Sequence, residues 1–119
     1  MVETITFTTA AARTISATDL AQRVHIRDPN GAARADTLPS AGSTIDYLLP
    51  YIGAQCEILY NNSGEAAETI TITAGANTTL YNNEGSADLV IAAGDSARLV
   101  FIRNSNTTMI VLGTIFEAV

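Results

Sequence analysis

The chain has no lysine and no tryptophan, one cysteine and one histidine, and only 15% of its 119 residues are charged. Each shortage excludes something. A lone cysteine forbids an internal disulfide and a thiolate metal cluster. Cys56 stands in Ala54-Gln55-Cys56-Glu57-Ile58-Leu59-Tyr60, where a small buried thiol in a strand is the plain reading. His25, flanked by Val24 and Ile26, offers neither a set of metal ligands nor a base with an evident partner. It reads as a residue on the polar face of a strand. Without lysine, all six basic residues are arginines set against twelve acids, giving a net charge of -6. That charge opposes a phosphate backbone, and no basic stripe is present, so direct nucleic-acid binding is excluded. Arginine alone suits planar pairing with carboxylates at protein interfaces, although genome composition explains the same bias.

Long apolar runs are missing too. No stretch approaches the length of a membrane span, and Met1–Phe7 has neither a basic start nor an unbroken apolar core, so it does not read as a secretory signal. The expectation is synthesis in the cytoplasm and no membrane partner. Catalytic constellations are scarce as well. Ser40, Ser63, Ser86 and Ser105 lie in turn sequences outside any Gly-x-Ser-x-Gly elbow, and no glycine-rich phosphate loop occurs. The acids Glu65 and Glu68, and Glu84 and Asp88 beside Asn82 and Asn83, offer oxygens to Ca²⁺ but lack the spacing of an EF-hand. Solvated turn acids are the commoner case. The reading is a protein that is not an enzyme, with no catalytic residue, no metal, no cofactor and no small-molecule ligand. Sugar stacking usually draws on exposed aromatics; here Tyr47 and Tyr51 bracket Leu-Leu-Pro and read as core or interface anchors.

What the chain does have is alternation and turns. Val2–Thr8 alternates, with Glu3, Ile5 and Phe7 on one side, and reads as a first strand or as an extended arm over residues 1–12. Ser16–Gln22 is the one helix-like piece, with Ser16 or Thr18 placed to cap a single turn. Strands are expected over Arg23–Arg27, Gln55–Tyr60, Glu68–Thr73, Thr78–Tyr81, Leu89–Ile91, Ala97–Arg103 and Thr108–Phe116, separated by Gly, Asn and Pro turns. Thr37–Gly42 reads as a break, and Asn104-Ser105-Asn106 as a hairpin between the last two strands. Short strands at this spacing predict a single all-β domain, residues 1–119, built as an antiparallel β-sandwich or jelly-roll-like barrel.

In a lone sandwich the outer positions are polar. Here Leu99 and Phe101 alternate with Val100 and Ile102, so both faces of the late strands are apolar. With so few charges, this points to contact with another protein surface. Val2, Ile5, Phe7, Leu99, Phe101, Met109, Val111, Ile115 and Phe116 are the candidate interaction residues: the first three as an arm adding a strand to a partner's edge, the rest as a subunit contact or the core beneath it.

The order of segments resembles one family. Ile15-Ser16-Ala17-Thr18-Asp19-Leu20, Thr37-Leu38-Pro39, Ile52-Gly53-Ala54 leading to Ile58 and Asn61-Asn62, Ile70-Thr71-Ile72-Thr73-Ala74-Gly75 and Ala93-Gly94-Asp95-Ser96-Ala97-Arg98-Leu99 are similar to segments of the small β-sandwich head-decoration, or cement, proteins of tailed bacteriophages. These pieces span nearly the whole chain, but each is a strand-and-turn signature, and similar modules occur in phage tails and fibres. The resemblance implies a homotrimer on the capsid surface of a virion, clamping neighbouring copies of the major capsid protein. The alternative it leaves open is a receptor- or glycan-binding module of a tail or fibre.

Overall fold

A computed structural model describes residues 3–82 and 88–118. Alternation makes most of it strand: β1 (Thr4–Phe7), β2 (Val24–Arg27), β3 (Arg34–Thr37), β4 (Gln55–Asn62), β5 (Ile70–Thr73), β6 (Thr78–Asn82), β7 (Leu89–Ile91), β8 (Ser96–Arg103) and β9 (Met109–Phe116). They form a six-stranded sheet in the order β1-β2-β4-β8-β9-β6 and a three-stranded sheet in the order β3-β5-β7. The all-β class is therefore as expected. Antiparallel pairing throughout is not: β1 with β2, β2 with β4, β3 with β5 and β6 with β9 run parallel, while β4 with β8, β8 with β9 and β5 with β7 run antiparallel. The reason is connection length. Parallel neighbours need a long return path, and residues 8–23 and 28–54 supply it between β1 and β2 and between β2 and β4.

Two short helical pieces lie on those return paths. Thr18–Ala21 forms the expected single turn, a 3₁₀ turn in which Ser16 Oγ accepts from Asp19 N at 3.2 Å and Asp19 Oδ2 accepts from Ser16 N at 3.1 Å. The other is a helix the sequence did not announce. α1 (Ala41–Leu48) starts where a break was expected, with Ser40 Oγ accepting from Ser43 N. Gly42, Ser43 and Thr44 are weak helix formers, and packing decides: Ala41, Thr44 and Ile45 are buried.

Both sheets share one core. Ile58, Leu99, Phe101, Met109 and Val111 from the larger sheet meet Ile70, Ile72, Leu89 and Ile91 from the smaller, and Ile15, Leu38 and Leu49 close the sides. The sheets lie close at Gly113, where a Cβ would stand 3.0 Å from Leu89 Cδ2. Asn62 ties the layers together, donating from Nδ2 to the carbonyls of Glu68 and Ile91. Leu99, Phe101, Met109 and Val111, expected as contact residues or as the core beneath a contact, are the core. Fully enclosed side chains leave a partner nothing to touch, so of the two readings these four residues take the core one and not that of direct contact.

Candidate interaction surface

The register of the six-stranded sheet decides which side chains face out. Val100 lies opposite Leu112 on one side and Glu57 on the other, Ile102 opposite Ile110 and Gln55, and Arg98 opposite Thr114 and Leu59. The rows continue to Tyr81 beside Leu112, Thr79 beside Ile110 and Val24 beside Leu59. Strand neighbours on one face stand about 4.5–5.5 Å apart at Cβ, so Tyr81, Leu112, Val100, Ile110 and Ile102 make one apolar stripe across three strands. Tyr81, Leu112 and Leu59 are exposed, as is Phe116 at the end of β9. The charged groups on the strands of this stripe's face, Arg98 and Glu57, pair with each other at 2.9 Å.

Of the other expected contact residues, Ile115 packs on the edge of the core and Phe116 opens to solvent. Val2 lies outside the described residues. Ile5 and Phe7 are half-buried on the inner side of β1, a strand on the edge of its own sheet. Tyr47 and Tyr51 are not core: they are 54% and 67% exposed, with Ile52 beside them in the chain at 58%.

The inner side of the same sheet holds a group of polar side chains, of which the sequence reading had placed His25 on a polar face. His25 is buried, not on a polar face, because β2 turns His25 and Arg27 inward. Arg27 is fully enclosed. Its Nε and Nη2 grip Asp36 at 2.9 and 3.2 Å, and its remaining donors reach the carbonyls of Thr9, Ala11 and Asp28. Tyr60 donates to Asp36 at 2.7 Å and accepts from Arg13 at 3.2 Å. Arg13 also donates to Asp19 Oδ2 and to His25 Nδ1, both at 3.2 Å. With Nδ1 accepting, His25 is the Nε2–H tautomer, donating to the carbonyls of Asp19 and Gln22 at 3.0 Å. The Phe7 ring covers both guanidinium groups, 4.8 Å from Arg13 and 5.0 Å from Arg27.

Electrostatics follow from this enclosure. Burial, reinforced by the Arg13 charge, holds His25 below its usual value and therefore neutral. Burial pulls Asp19 upward, but the Ser16 hydrogen bonds and Arg13 outweigh it and leave the carboxyl below the usual range. The Tyr60 hydroxyl is pushed up, first by burial and then by the Asp36 charge. Two cations and two carboxylates thus balance around a neutral imidazole. Among the described residues, no buried side-chain nitrogen or oxygen lacks a partner. Chemically this group can hold the chain from residue 7 to 13 against β2, β3 and β4.

Cys56 is half-buried in β4, and burial raises its thiol to about 11, so it is almost wholly protonated at neutral pH. A recess of about 500 Å³ lies between the Thr14–Thr18 segment and the Leu38–Ser43 segment and is lined by hydroxyls and aliphatic groups. A smaller one, about 200 Å³, gathers Asp28, Glu65 and Glu68, where Glu68 Oε1 accepts from Gly31 N. No group of three or more His, Cys, Asp or Glu is placed to hold a metal ion among the described residues. The acids of the second turn are divided: Asp88 is described, while Asn83 and Glu84 lie outside the described residues. Compared with known proteins, the chain matches no family model, and no curated protein matches it either.

Proposed function

We propose that this chain is a non-enzymatic structural protein that sits as a homotrimer on the outside of a phage head, binds the major capsid protein there and stabilises the shell. The observation that carries the reading is the apolar outer face of the six-stranded sheet on a chain with few charges. A solitary β domain turns polar side chains to water on that face; this one turns Tyr81, Leu112, Val100, Ile110 and Ile102. The order of strand-and-turn segments, similar to that of phage cement proteins, gives the reading its viral setting and its two-layered sandwich form. Many copies, each adding a modest contact, raise the work needed to rupture a shell.

Particles lacking the protein, incubated with the purified chain, test the reading. Saturable binding at hundreds of copies per particle, with a gain in resistance to heat and osmotic shock, is the expected result. No binding and no gain would overturn it.

A second reading rests on a different observation, the exposure of Tyr47 and Tyr51. Exposed tyrosine rings with free hydroxyls suit stacking and hydrogen bonding to sugar rings. A receptor- or glycan-binding module of a tail or fibre would be present at a handful of copies per particle and would bind a defined sugar on a glycan array.

A further inference from the structure

We propose that the outer face of the six-stranded sheet is the surface through which copies of this chain bind one another, with Val100, Ile102, Ile110, Leu112 and Tyr81 at its centre. This deepens the homotrimer reading by naming the contact, and it rests on that reading only for the number of copies.

Three features select a copy of this chain as the occupant. The first is area. At about 3.4 Å per residue and about 4.8 Å per strand, the six strands present roughly 600 Å² of flat face, so two faces laid together remove roughly 1,200 Å² before side-chain relief is counted, where stable interfaces begin. The second is charge. The chain carries a net charge of -6, so two copies repel over most of their surfaces. Arg98 and Glu57 cancel each other on this face at 2.9 Å, making it a place where like molecules meet without that repulsion. The third is shape. A twisted sheet fits another sheet of equal twist at about 10 Å separation, and a second copy supplies equal twist by construction. In a trimer the three faces turn toward one axis and each is divided between both neighbours, so the roughly 600 Å² that each copy covers is shared by two contacts while the ring closes.

The experiment is the solution mass of the full chain by light scattering coupled to size exclusion, for the wild type and two variants. Leu112→Glu puts an unpaired charge in the centre of the stripe from an exposed position, so the fold has no cavity or clash to absorb. Tyr51→Ser removes an exposed ring that lies outside the strands. The expected result is a multiple of the 12.5 kDa chain mass for the wild type and for Tyr51→Ser, and the mass of one chain for Leu112→Glu with an unchanged circular dichroism spectrum. Should Leu112→Glu also lose its spectrum, Val100→Thr, nearly equal in volume, serves instead and is expected to weaken association at least tenfold by dilution. A wild type that runs as one chain, or face variants that keep the full mass, overturn the inference. The particle assay separates the two ideas: capsid binding by a single chain leaves the decoration reading standing and makes this face its capsid contact. A dimer abolished by Leu112→Glu keeps the inference and removes the trimer.

Discussion

Arg27 and Asp36 are fully enclosed, and a charge without its partner in such a place is costly. Replacing Asp36 with Asn keeps the shape but leaves the Arg27 guanidinium uncompensated and removes the charged acceptor of Tyr60. We expect a loss of about 3–5 kcal/mol, read as a lower urea midpoint at unchanged slope. His25 acts through protons instead. Folding lowers its pKa from the usual 6.5, so just below that value the unfolded chain holds a proton that the folded chain refuses. Stability is therefore fully present above about pH 6.5 and declines as pH falls through the window down to the folded value, by at most about 1.4 kcal/mol per unit. The proton would enter on Nδ1, against the Arg13 donor 3.2 Å away, while Asp19 keeps its charge. His25→Gln, which removes the titrating group, is expected to flatten the decline in unfolding free energy as the pH is lowered from about 6.5. A decline as steep as in the wild type would show that another group carries it.

Among elements, the tightest junction is the turn that follows β5. A Cβ on Gly75 would be driven into the backbone carbonyls of Leu38 and Pro39, just before α1, whereas one on Gly113 would meet only the movable ends of Leu89 and Leu99. Gly75→Ala is expected to cost about 1–3 kcal/mol and Gly113→Ala less; thermal melts of the two variants side by side check the order. The elements also show what a sequence carries. β4, β8, β9 and the hairpin turn at Asn104–Asn106 were legible because alternation and turn residues are local signals. Parallel pairing was not, because direction is set by where residues 8–23 and 28–54 return the chain. The apolar outer face was legible only as a property of two strands. Leu99 and Phe101 are as apolar as Val100 and Ile102, and a shift of one residue exchanges the faces, so the alternation could not say which set looks outward. His25 was misplaced for a related reason: β2 is four residues long, too short for its pattern to show that polar side chains face inward toward Arg13 and Asp36. α1 was hidden by weak formers at its start, and its Ser40 cap with Ser43 three residues on was the signal available.

The whole molecule is held together by strands distant in the chain. Among the described strands, β8 and β9 are neighbours joined by a short turn, with Arg103 opposite Met109, whereas β4 finds β8 across some thirty residues and β2 lies between β1 and β4. That arrangement fixes a schedule of assembly. Loop closure is cheapest for the local pair, so the last hairpin made is the first piece able to form, and the sheet then grows from it toward the N-terminus. Val111→Ala in β9 is expected to slow refolding, while Ile5→Ala in β1 chiefly speeds unfolding, as stopped-flow measurements in urea would show. A chain emerging from the ribosome must then wait for β8 and β9 before its centre can close. Until that moment the edge of β4 that β8 later covers stays open, and wherever many copies of the chain are made at once those open edges are where misassembly begins.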